Sequence, residues 1–114
     1  MIPAKLSLHG LLVGLFAGFC AAVASTGCGL PLLSSLTPGG NSVTFNFTSY
    51  DGTIRTYLIY IPYTYNVTSP APLILSFHGN LGTSAQQEGD SQFSTKLMNQ
   101  YAIAVYPQGV EVSG

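Results

Sequence analysis

Two residues near the middle of the chain, His78 and Gly79, end a short apolar run, LILSF, and open a loop of small residues, GNLGTSA. A backbone that turns at such a junction can aim amide N–H groups into a cleft. Donors fixed in this way stabilise the oxyanion of a tetrahedral intermediate in acyl transfer. Each is typically worth roughly 3 kcal/mol of transition-state stabilisation. The amides of Asn80 and Leu81 are the candidates, with Gly79 expected to allow the sharp turn. Taken alone, His-Gly equally suits a plain strand-to-loop turn around a hydrogen-bonded histidine.

The partners such a loop would need are not visible in the chain. A nucleophile elbow has the form G-x-S-x-G. Gly82-Thr83-Ser84-Ala85-Gln86 begins correctly but carries Gln86 where glycine is required. Gly89-Asp90-Ser91 resembles the nucleophile block of another lipase class, but there the block follows a strand and here it is expected to open a helix. His78 precedes every place a nucleophile could come, so it is not assigned as the base. The other histidine, His9, sits in the apolar leader. Catalytic residues are therefore assigned to none of these positions, and no metal ligand set is assigned.

The elements that position the loop can be read from periodicity. Val43, Phe45 and Phe47 alternate with Thr44, Asn46 and Thr48, the period of a half-buried strand. Asp51-Gly52 is a turn dipeptide, since glycine accepts positive φ cheaply. A second strand is expected over residues 54–61, ended by Pro62. A loop with two further prolines and several tyrosines leads to LILSF, which is apolar on both faces and suits a parallel strand covered on both sides. A short turn is expected over residues 84–88. A helix is expected from Asp90 or Ser91, with Phe93, Leu97, Met98 and Tyr101 forming one apolar stripe. AIAVYP, residues 102–107, reads as a buried strand. Strand–helix–strand implies parallel strands with a crossover. The fold class is α/β: an antiparallel hairpin, then a strand–helix–strand unit.

Composition excludes several classes. The chain has 114 residues, net charge −1, 6 % charged residues and only three Lys or Arg. It is too apolar for a disordered tail (mean hydropathy +0.36) and too poor in cations to hold phosphates, so no nucleic-acid partner is expected. Residues 1–24 carry one cation, Lys5, an apolar run and Ala22-Val23-Ala24, the layout of a secretory signal peptide. An uncleaved membrane anchor is the alternative, because the run is near the length that spans a bilayer. After cleavage no membrane contact is expected. The remaining chain has two cations, Arg55 and Lys96, against Asp51, Glu88, Asp90 and Glu111, net −2. Residues 25–42, rich in Gly, Ser and Pro, read as a flexible arm before a domain over 43–114. Asn46-Phe47-Thr48 and Asn66-Val67-Thr68 are glycosylation sequons, which must be exposed to be used. One cysteine, Cys28, remains after the leader. It is either unpaired, paired between chains, or paired with a residue outside this sequence.

The order of these parts resembles the secreted feruloyl esterases and polyhydroxybutyrate depolymerase-like proteins, an esterase family of the α/β-hydrolase fold. RTYLIYIP, PLILSFHGN and AIAVYPQGV carry the resemblance, with GCG at residues 27–29 similar to the mature amino terminus of many fungal members. The resemblance implies a partial α/β-hydrolase sheet whose carboxyl-terminal strands are missing, with the strand before the loop lying between the fourth and fifth strands. It implies that residues 78–81 form an oxyanion loop, and that the serine nucleophile, acid and base lie after Gly114. It implies that Cys28 pairs with a cysteine far downstream. The whole enzyme would need no cofactor and would cleave feruloyl, acetyl or similar esters on plant cell-wall polysaccharide. The chain by itself is then expected to be marginally stable and inactive. A reading from a different class is a small secreted, non-catalytic binding protein or effector.

Overall fold

The computed structural model describes residue 27 and residues 29–110. The leader over 1–24 and Cys28 with its expected disulfide lie outside the described residues, as does the end of the chain from Glu111. The elements are β1 (Val43–Thr48), β2 (Ile54–Tyr60), β3 (Leu73–Leu75), α1 (Ser84–Ser91) and β4 (Ile103–Pro107). They form a mixed four-stranded sheet, in the order β1-β2-β4-β3, with one helix. The α/β class and all four strands are as the sequence implies, with boundaries shifted by a residue or two.

β1 and β2 pair antiparallel with Phe45 opposite Tyr57 and Val43 opposite Ile59. The connection is tight because Gly52 takes φ +82° and donates its N–H to Ser49 O at 2.9 Å. The Asp51 carboxylate accepts from the Ser49 hydroxyl and from the Thr53 N–H. These bonds hold its pKa down, from an ordinary 3.8 to about 2. β2 pairs antiparallel with β4, and β4 pairs parallel with β3.

Register sorts the side chains onto two faces, because residues directly opposite share a face. Tyr60 lies opposite Ala104, and Leu58 opposite Tyr106. Tyr60, Ala104 and Tyr106 are buried and pack with Leu58 and Phe93, which makes this face the core. α1 lies on the same side: the Tyr106 hydroxyl accepts from Ser94 and Ser91. The opposite face carries a continuous row, Val43–Ile59–Val105–Leu75, and beside it Phe45, Tyr57 and Pro107. No described helix covers it. Leu73, Leu75 and Phe77 are more than half exposed. Among the described residues LILSF is thus covered on one side, not on both, and β3 is a sheet edge.

The helix is not where the apolar spacing puts it. It occupies residues 84–91, and the expected helix from Asp90 or Ser91 onward is a series of turns. Three local causes act together. Thr83 and Gln86 form a reciprocal capping box at the amino end. Gln92 closes the carboxyl end in the left-handed region at φ +58°. Beyond it, the buried Asn99 side chain donates to Phe93 O and Ala102 O and accepts from the Ala102 N–H. Asn competes in this way for backbone groups a helix would use. Of the expected stripe only Phe93 reaches the core; Leu97, Met98 and Tyr101 are exposed.

The arm over 25–42 is docked at its far end. Gly39 donates to Ile61 O at 2.9 Å. The Ser42 hydroxyl donates to the Glu88 carboxylate and lies 3.1 Å from the Ser94 hydroxyl.

Candidate functional site

β3 and β4 run parallel, so their carboxyl ends emerge side by side, and ligands of α/β sheets gather at that edge. The two segments leaving it, residues 76–83 and 107–110, are positioned by their bonds to the sheet and to α1, and one side chain, His78, joins them directly. Ser76, buried, continues the ladder by donating its N–H to Val105 O, and its hydroxyl accepts from Gln87 of α1 at 2.9 Å. Gln108 anchors its own N–H on Thr56 O and offers its side-chain oxygen to the Ser84 N–H at 2.8 Å, satisfying an orphan donor at the start of α1. Thr83 caps the same turn.

His78 is the crosspiece. The Gly109 N–H donates to Nε2 at 2.9 Å. An amide N–H can only donate, so Nε2 carries the lone pair and the ring proton sits on Nδ1. Nδ1 then donates to Gly79 O at 2.8 Å. The fit is close on two sides. A Cβ at Gly109 would stand 3.0 Å from the ring's Cε1, and one at Gly82 would stand 3.2 Å from His78 Cβ.

The loop itself turns over residues 79–82, closed by Gly82 N–H to Gly79 O at 3.1 Å. Its left-handed residue is Leu81, at φ +60°, and not Gly79. A Cβ at Gly79 would meet nothing within 4 Å, so the expected need for glycine at 79 is not what makes the turn. An L-residue in this region costs roughly 1–2 kcal/mol, and the Leu81 side chain recovers little of it, being 95 % exposed. Among the described residues, the amides of Asn80 and Leu81 have no internal acceptor. They are solvent-facing donors on a turn held by its neighbours.

Asn46 is exposed on β1 and Asn66 is exposed on the loop before β3. Asn66 Oδ1 accepts from both the N–H and the hydroxyl of Thr68, at 3.0 and 2.8 Å, an Asx turn within its own sequon. Ser84 opens α1 and Ser91 ends it, and neither follows a strand. Among the described residues no cluster of three His, Cys, Asp or Glu is poised for a metal, and no helix is long and apolar enough to cross a membrane. An open groove of about 470 Å³ lies on the bare sheet face, lined by Phe47, Arg55, Tyr57, Val105 and Pro107 among others. It shares Gln108 with the loop region but is a separate place.

Gln108 and Gly109 escaped the sequence reading. Their signal was present in AIAVYPQGV, where a polar residue and a glycine follow directly on a buried strand, but their partners lie 24 and 31 residues away. A scan against protein-family models matched none, and a search of curated proteins returned no match.

Proposed function

We propose that this chain is the amino-terminal part of a secreted carboxylic ester hydrolase of the feruloyl esterase type, in which residues 78–81 supply part of an oxyanion hole. The observation that carries this reading is the pair of unsatisfied amides, Asn80 and Leu81, on a strained turn at the carboxyl end of a parallel strand. Strain of this kind gathers at functional sites. The sheet order is a second support. β3 lies beside β4 with its outer edge open, where the hydrolase resemblance places a fifth strand. In such an enzyme a serine attacks the ester carbonyl, charge collects on the carbonyl oxygen, and fixed N–H donors stabilise it before the alcohol leaves and water releases the acid. On the resemblance, the serine, its base and its acid would come from sequence after Gly114. The substrate class, esters on plant cell-wall polysaccharide, follows from the resemblance alone.

The bare apolar face and its groove favour a second reading, a small secreted binding protein without catalysis. Sequencing the transcript through the codon for Gly114 separates the two. The esterase reading expects an open frame that reaches G-x-S-x-G, an acid, a histidine and a cysteine, and expects the extended protein to hydrolyse aryl esters. A frame lacking that elbow overturns it.

A further inference from the structure

We infer that His78 is a proton-sensitive latch between the two strand ends, a positioning residue that holds the 78–82 loop only while its imidazole is neutral. The ring joins the 78–82 loop to the segment after β4. Nδ1–H reaches Gly79 O within the loop, and Nε2 accepts the Gly109 N–H from the segment after β4, 31 residues away. A neutral imidazole has one donor and one acceptor, and both are used. An imidazolium has two donors. A proton added at Nε2 therefore points at the Gly109 N–H across 2.9 Å, and an attractive contact becomes a donor–donor clash. The ring edge lies close against Gly109, where an added Cβ would stand 3.0 Å from Cε1.

Among the described residues no carboxylate hydrogen-bonds the ring. The 78–82 loop and β3 carry no carboxylate. On α1 the charged groups are Glu88 and Asp90, and Glu88 is engaged by Ser42. Neither is a hydrogen-bond partner of His78. Gln108 is neutral and committed to the Ser84 N–H. Glu111 lies outside the described residues. Protonation thus leaves the Gly79 contact in place and releases Gly109, so the loop keeps its own turn and its ends stay held by Ser76 and Gln108, while its direct tie to Gly109 is lost.

The test reads the imidazole and one amide, so it stands apart from the ester-hydrolase reading, which turnover decides. The full chain is labelled with nitrogen-15. Long-range correlation of the ring nitrogens identifies the tautomer, and amide exchange is followed from about pH 8 to about pH 5, the range in which histidines change charge. The expected result is a protonated Nδ1 at the upper end. The protection factor of Gly109 then falls about tenfold or more as the ring charges, while that of Ser76, bonded to Val105 O at the same sheet edge, holds. In His78→Gln the side-chain oxygen still accepts from Gly109 but takes no proton in this range, so protection persists without the pH step. A protonated Nε2 in the neutral ring, a Gly109 amide unprotected at every pH, or the same step in His78→Gln overturns the latch.

Discussion

Asn99→Ala is the sharpest perturbation of the frame that carries the loop. Asn99 is 6 % exposed and its amide serves four backbone groups: it donates to Phe93 O and Ala102 O, both at 2.8 Å, and accepts from Ala102 N–H at 2.9 Å and Tyr101 N–H at 3.3 Å. Ala102 is itself buried. Alanine at 99 strips both polar groups of Ala102 of their partner at the start of β4. A buried group left unpaired costs about 1–3 kcal/mol, and the less buried Phe93 and Tyr101 groups can turn to water. The expected loss is about 2–4 kcal/mol. A small domain has roughly 5 kcal/mol at the lower end of the usual range, and one whose sheet has a bare face belongs there. Urea unfolding followed by far-UV circular dichroism, in sulfate to raise the starting stability, should show the midpoint falling by about 2 M or more, taking a slope near 1 kcal/mol per molar. Asn99→Asp keeps the acceptor and loses both donors, so it should fall between. A variant within about 0.5 kcal/mol of the parent would refute the assignment of Asn99 as the fastener of the parallel return.

Gly39→Ala should lower stability by about 2–4 kcal/mol in thermal melts, because φ is +71° and the new Cβ would stand 2.8 Å from Tyr63 Cβ; Gly52→Ala, at φ +82° in open space, should cost only the conformational part. Equal losses would mean that the arm is not docked. Asp51 has a folded-state pKa below its unfolded value, so its contribution is complete above about pH 4 and is lost as pH falls through about 2; a carboxyl titration by NMR should find that midpoint, and Asp51→Asn should remove the corresponding acid limb of the stability curve. Leu75→Lys places an ammonium at the free edge and bare face, and light scattering should show less self-association at unchanged secondary structure; an unaltered signal would mean that this face is not the sticky one.

The hairpin could be read directly. Alternation in VTFNFT, the turn dipeptide Asp51-Gly52 and the β-branched run of β2 act through immediate neighbours, and the observed register follows from them. The helix could not. Phe93, Leu97, Met98 and Tyr101 have helical spacing, yet the capping box, the left-handed Gln92 and the competing Asn99 amide decide where helical bonds stop. Spacing reports which residues could share a face, while capping groups decide which backbone bonds are made. The glycines show the same division. Gly79 looks like the hinge of the turn, but the left-handed residue is Leu81, and the glycines packed closely against His78 are Gly82 and Gly109.

By itself, then, the sequence determined the four strands, the α/β class and the position of the loop after β3, because period, turn chemistry and a loop after an apolar run are local properties. Only the tertiary structure decided that Gln108 caps α1, that Gly109 meets His78, that the arm is anchored at Gly39 and that one sheet face lies bare. The three contacts join groups 22, 24 and 31 residues apart, where distance along the chain carries no information about distance in space.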